Sequence, residues 1–134
     1  MSIVPVVVTL CGSSRFKEHH EAMQARETLL GRIVIPMGFY HHKDSVPITA
    51  EQKKLLDVLH LCKIDLCEEI LVINPNGYIG ESTTCEIAYA VATHKNVRYL
   101  DKVEGDKWME RESHKLGRLV AHFTVNGRTL PERD

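Results

Sequence analysis

Glu86 stands in the stretch Gly80-Glu81-Ser82-Thr83-Thr84-Cys85-Glu86-Ile87-Ala88-Tyr89-Ala90, where a glycine turn runs into helix-forming residues. The pattern places Glu86 in the first turn of that helix. There a carboxylate serves either as an attacking or proton-transferring oxygen, or as the last member of a Thr83-x-x-Glu86 capping box. Ser82 and Thr83 are open to the same two readings, as caps or as donors to a ligand. A second turn, Gly12-Ser13-Ser14-Arg15, brings two hydroxyls and a guanidinium to the start of another helix. Free backbone N–H groups and the helix dipole favour an anion at such a place, and arginine grips phosphate oxygens in pairs. Ser13 or Ser14 acting only as a cap, with Arg15 in solvent, is the plainer account. The turn lacks the full G-x-G-x-x-G pattern, and the chain has no Walker A sequence.

The elements that must position these residues follow from apolar spacing. Ile3 to Leu10 is a continuous β-branched run, as in a strand covered on both faces of a parallel sheet. Phe16 to Leu30 is a helix, closed by Gly31. Arg32 to Met37 is a second strand, followed by a polar segment, Gly38 to Ile48, that carries Phe39, Tyr40, His41 and His42. Loops of that length in small domains are often functional, so the two histidines are either solvated or part of a lid. Thr49-x-x-Gln52 is a capping box that opens a helix reaching about Cys67. Glu69 to Asn74 is a third strand, ended by Pro75-Asn76-Gly77. A helix from Thr83 to His94, a strand from Asn96 to Leu100 and a helix from Asp106 to Leu119 follow. Val120 to Leu130 is expected to hold a strand and a turn at Asn126-Gly127.

This alternation predicts an α/β fold: one doubly wound, Rossmann-like domain over residues 1–134, with a mostly parallel sheet of four to five strands flanked by helices. Ligands of such folds lie beyond the carboxyl ends of the strands, where both glycine turns fall.

Composition narrows the function classes. The chain has 134 residues, 43% hydrophobic and 26% charged, the balance of an ordinary globular domain. It has no apolar run near the roughly 20 residues of a bilayer span. Met1-Ser2 leads straight into Ile3 without a basic region or cleavage site, so a cytoplasmic location is expected. A formal net charge of −1 argues against a nucleic-acid polymer as partner, because no broad positive field is present to hold one. Cys11, Cys62, Cys67 and Cys85 are expected to be buried free thiols. Cys62-x4-Cys67 has the wrong spacing for a structural zinc site, and His41-His42 lack helical i, i+4 spacing, so no metal is expected.

The order Gly-Ser-Ser-Arg after the first strand, a buried third strand, a glycine turn and then Glu86-Ile87-Ala88-Tyr89-Ala90 resembles the nucleoside 2-deoxyribosyltransferase superfamily. That superfamily includes nucleoside 5′-monophosphate N-glycosidases. The resemblance spans about residues 4–100. It implies that Glu86 attacks the anomeric carbon of a nucleotide, and that Gly12, Ser13, Arg15 and Ser82 bind its phosphate. A small-molecule nucleotide substrate, no cofactor and a homodimer or larger homo-oligomer are implied with it. Two positions depart from the family pattern. Ala88 replaces the glycine after the glutamate pair, and the register of the family's helper aspartate falls near His60 and Leu61. Asp57 and Asp65 are the acids available, one turn to either side; Asp65 is the expected helper, with His60 as its competitor. Without the resemblance, Asp65 is an exposed i, i+4 neighbour of Glu69, and His60 is a histidine at the edge of the core.

The expected reaction is hydrolysis of the N-glycosidic bond. Transfer of the sugar to a second base, or binding without catalysis on the same fold, are the alternatives. A cysteine-dependent phosphatase built on Cys11 would need a longer loop than the three residues between Cys11 and Arg15.

Overall fold

Val7–Cys11 forms the first strand, β1, in a computed structural model that describes residues 4–132. The expected strand start at Ile3, the Met1-Ser2 terminus and residues 133–134 of the expected domain lie outside the described residues. The strand begins four residues later than the sequence suggests, after Pro5, which has no N–H to give to a ladder. A short 3-10 turn, Ser14–Phe16, leads into α1, Lys17–Leu29. Then come β2 (Ile33–Ile35), α2 (Ala50–Asp65), β3 (Glu69–Val72), α3 (Glu81–Ala92) and β4 (Asn96–Tyr99). Two further helices, α4 (Lys102–Arg111) and α5 (Ser113–Asn126), complete the chain.

The four strands are all parallel in the order β2-β1-β3-β4. Alternation along β1 and β3 divides the core between two faces. Val8 and Leu10 with Leu71 and Ile73 meet Phe16 and Met23 of the α1 region. On the opposite face, Cys11, Ile70 and Val72 pack with Leu61 and Ile64 of α2, Ile87 to Ala90 of α3, and Leu116 and Phe123 of α5. Thr9 donates its hydroxyl to the Lys63 carbonyl at 2.9 Å, fastening β1 to α2. The architecture is therefore a doubly wound α/β sheet with helices on both faces. After β1 the chain turns toward one edge, and after β3 toward the other. The loops part above β1 and β3, which is where such sheets open a crevice.

The C-terminal part differs from expectation. Val120 to Leu130 holds no strand: α5 continues to Asn126 and stops at Gly127, whose φ of +60° ends the helix. Leu116, Leu119, Val120 and Phe123 fall at i, i+3, i+4 and i+7, one helical face, which packs on the core. The single helix expected from Asp106 to Leu119 is two, broken at Glu112.

Among the described residues, no helix is long and apolar enough to cross a membrane.

Candidate active site

Gly12, at the end of β1, adopts φ +145°, and a Cβ there would sit 2.7 Å from the Ile73 backbone oxygen. Only glycine allows β1 to turn off this close to β3. The turn brings Ser13 to the head of the 3-10 segment, where its Oγ accepts from Arg15 N at 3.2 Å and Arg15 Nε at 3.0 Å. The Arg15 guanidinium also lies 4.7 Å from the centre of the Tyr78 ring. Two neighbours thus fix the cation at the rim of the crevice.

The other turn is built differently from its sequence pattern. The N-cap of α3 is Gly80, which has no side chain to cap with, and the helix begins at Glu81. Thr83 and Glu86 therefore do not form a capping box, and Glu86 lies in the second turn rather than the first. Its carboxylate has no capping duty. Ser82 and Thr83, in the uncapped first turn, lie where helical N–H groups have no intrahelical acceptor. Lys53 of α2 reaches across to this turn, giving Nζ to Ser82 Oγ at 2.8 Å and to Asp57 Oδ1 at 2.5 Å.

A cavity of about 280 Å³ joins the two turns. Gly12, Ser13, Arg15, Ser82, His60 and Glu86 all line it. Asp65 does not. Its carboxylate sits at the other end of α2, accepting from the Tyr89 hydroxyl at 2.6 Å and from Arg128 at 2.6 Å. This pairing compensates a negative charge at a helix C-terminus and ties the chain after α5 to α2. Asp57, two turns earlier on α2, is the aspartate that faces the cavity.

At the floor, Glu86 is buried, and its Oε1 has no hydrogen-bond partner. Burial, with the Asp57 charge as the second cause, pushes its pKa up to about 8, while Lys53, Cys11 and Lys63 pull the other way. His60 Nε2 is 3.8 Å from Glu86 Oε1 and 3.4 Å from Cys11 Sγ. Burial lowers the His60 pKa to about 3, so the ring is neutral and makes no ion pair with Glu86. The Cys11 thiol is itself pushed well up by burial and by Glu86. Cys11, His60 and Glu86 are the cluster in the site with ligand types suited to a metal. Like Cys11, Cys67 is a buried free thiol, but Cys62, also a free thiol, and Cys85 are only half-buried, so the expected burial of all four does not hold.

The loop after β2 walls one side. Lys63 donates to the carbonyls of Pro36 and Met37 at 3.0 and 2.9 Å. His42 Nδ1 lies 2.5 Å from Ser14 Oγ, and Phe39, His41 and His42 line the cavity. Lys53 and Lys63 are site residues that motif reasoning does not single out, and Asp57 is the available acid passed over in favour of Asp65. Their signal is periodic: Lys53, Asp57 and His60 recur at i, i+4 and i+7, a polar stripe on a helix otherwise read for its leucines.

No protein-family model matches the chain, and no curated protein or solved structure matches it.

Proposed function

We propose that the protein hydrolyses the N-glycosidic bond of a nucleoside 5′-monophosphate, with Glu86 as nucleophile. The observation that carries this reading is the unpartnered, buried Oε1 of Glu86 at the floor of a cavity rimmed by Arg15, Lys53, Ser13 and Ser82. A buried carboxyl without a cap, an ion pair or a second hydrogen bond is costly to keep for structure alone.

In this scheme the phosphate rests on Gly12, Ser13 and Arg15, with Ser82 and Lys53 on its other side. Binding energy from that remote group positions the sugar over Glu86. The ionised carboxylate attacks the anomeric carbon as the carbon–nitrogen bond breaks, and the base is protonated as it departs. Water then cleaves the sugar ester, restoring Glu86 and releasing sugar phosphate. Asp57 and Lys53 orient the sugar side of the site, in the role the resemblance gave to Asp65. His60, neutral and 3.8 Å from Glu86 Oε1, packs beside the carboxyl without hydrogen-bonding to it. Met37, Phe39 and Tyr78 offer apolar and aromatic faces for a base. The same reading carries a cytoplasmic location, a homo-oligomeric assembly and no cofactor.

Chromatography of ribo- and deoxyribonucleoside monophosphates incubated with the protein tests the proposal. Free base from at least one of them, absent with Glu86→Gln, is the expected result. Saturable binding with no base released from any would leave only a nucleotide-binding protein.

A further inference from the structure

We propose that Cys11, His60 and Glu86 form a binding site for a thiophilic divalent cation, Zn²⁺ by its ligand types. One sulfur, one imidazole nitrogen and one carboxylate oxygen come together here within 4.8 Å of one another, all from buried residues. The observed separations are 3.4 Å between Cys11 Sγ and His60 Nε2, and 3.8 Å between His60 Nε2 and Glu86 Oε1. Bonds of about 2.0 Å to nitrogen or oxygen and about 2.3 Å to sulfur in a tetrahedron put ligand atoms roughly 3.3 to 3.6 Å apart. The cluster is therefore close to the size the ion requires. The second, independent observation is Glu86 Oε1, buried and without a hydrogen-bond partner.

The surroundings fit a three-ligand site. Three different elements supply the donors: β1, α2 and α3. They are held in one core cluster that includes Cys11, Leu61 and Ile87, so the ligands are placed before any ion arrives. The cavity that Glu86 and His60 line gives the ion a path inward and leaves room for a fourth ligand from solvent. Binding converts the Cys11 thiol to thiolate, with its proton leaving to solvent. A thiolate and a carboxylate then balance the two charges of the ion, so the buried cluster is neutral. Of the nearby cations, Lys63 is engaged by the Pro36 and Met37 carbonyls, and Lys53 by Asp57 and Ser82. The chemistry proposed above uses no metal. The ion would occupy the oxygen that attacks the sugar, so on that reading it blocks the enzyme.

The test is titration of the full chain, freed of metal by chelator, with Co²⁺ as a spectroscopic probe and no nucleotide present. One equivalent should produce a thiolate-to-cobalt charge-transfer band and the intense visible bands of tetrahedral cobalt, and Zn²⁺ should displace it. Cys11→Ser and His60→Ala should each weaken binding by at least about 100-fold, since even loss of an outer-shell partner costs roughly 10- to 100-fold. Cys62→Ser should leave it unchanged. X-ray absorption on the unmutated Zn²⁺ form settles the matter should those variants misfold: one sulfur at about 2.3 Å beside nitrogen and oxygen supports the site. No charge-transfer band, a sulfur-free shell, or a band that follows Cys62 instead of Cys11 overturns it. These readouts need no substrate, so they decide the metal site whether or not the chain releases base.

Discussion

His60 presents Nε2 to Glu86 Oε1 at 3.8 Å, beyond hydrogen-bond length, and burial keeps the imidazole neutral. The carboxyl is thus neither neutralised nor fully hydrogen-bonded by its nearest ring. That leaves burial in command of its protonation, and it titrates near 8 rather than near 4.5.

The first consequence concerns catalysis. A nucleophilic carboxylate must be ionised, and below its pKa the ionised fraction of Glu86 falls about tenfold per pH unit. The pH profile of kcat/KM should therefore climb through neutrality and level off above about 8. A profile that instead declines through this range would make Glu86 a proton donor.

Stability should respond with the opposite sign. In the unfolded chain Glu86 ionises near 4.5, but in the fold it stays protonated to about 8. The native state binds more protons between those values, so stability falls as pH rises from 4.5 to 8, by at most roughly 5 kcal/mol. Glu86→Gln removes this dependence and should raise the urea midpoint at pH 8 relative to the unmutated protein. Buried His20, which titrates near 4 in the fold, acts in the other direction. Its unfolded form takes up a proton below about 6.5, so stability drops as pH falls below that, by about 2 kcal/mol at pH 5. Urea melts of His20→Gln, compared at pH 7 and pH 5, should show a smaller acid loss than the unmutated chain.

Arg15, though exposed, lies over Tyr78 and is held by Ser13, and on the proposed reading it grips the phosphate. Arg15→Ala should weaken binding of a 5′-monophosphate by roughly 10- to 100-fold, the value of charge-assisted hydrogen bonds of about 1.5 to 3 kcal/mol. Binding of the matching nucleoside should hardly change. Equal losses for both ligands in calorimetric titrations would remove Arg15 from the phosphate site.

Gly12→Ala should destabilise the fold by about 2 kcal/mol or more. Its φ of +145° disfavours any Cβ, and the added carbon would press on the Ile73 backbone oxygen, which cannot swing away. Denaturant unfolding measures this directly, and an unchanged midpoint would mean that β1 and β3 can separate at their ends.

Much of the fold is legible in the sequence because the β-branched runs and helical apolar spacings of the first hundred residues are separated by strong turns. Thr49 and Gln52 form the reciprocal capping box their spacing implies. The strand expected after Val120 is instead helix because Val120 and Phe123, residues that favour strands, pack there on a helical face against the core. The site is less legible. Gly12 to Arg15, Ser82, His60 and Glu86 meet in one cavity, but Thr83-x-x-Glu86 imitates a cap in a helix that has already begun at Glu81. Asp65 and Asp57 differ in place by two helical turns, and only the packing of α2 on α3 decides which faces the cavity. Arg128, 63 positions along the chain, satisfies Asp65, a pairing that no local pattern announces.

The covalent step is the heart of the account, and trapping it is the most direct measurement. Rapid acid quench of the protein with a nucleoside monophosphate that it cleaves, followed by peptide mass spectrometry, should find a sugar phosphate esterified to Glu86. A sugar adduct on Asp57, Cys11 or any other residue would contradict it.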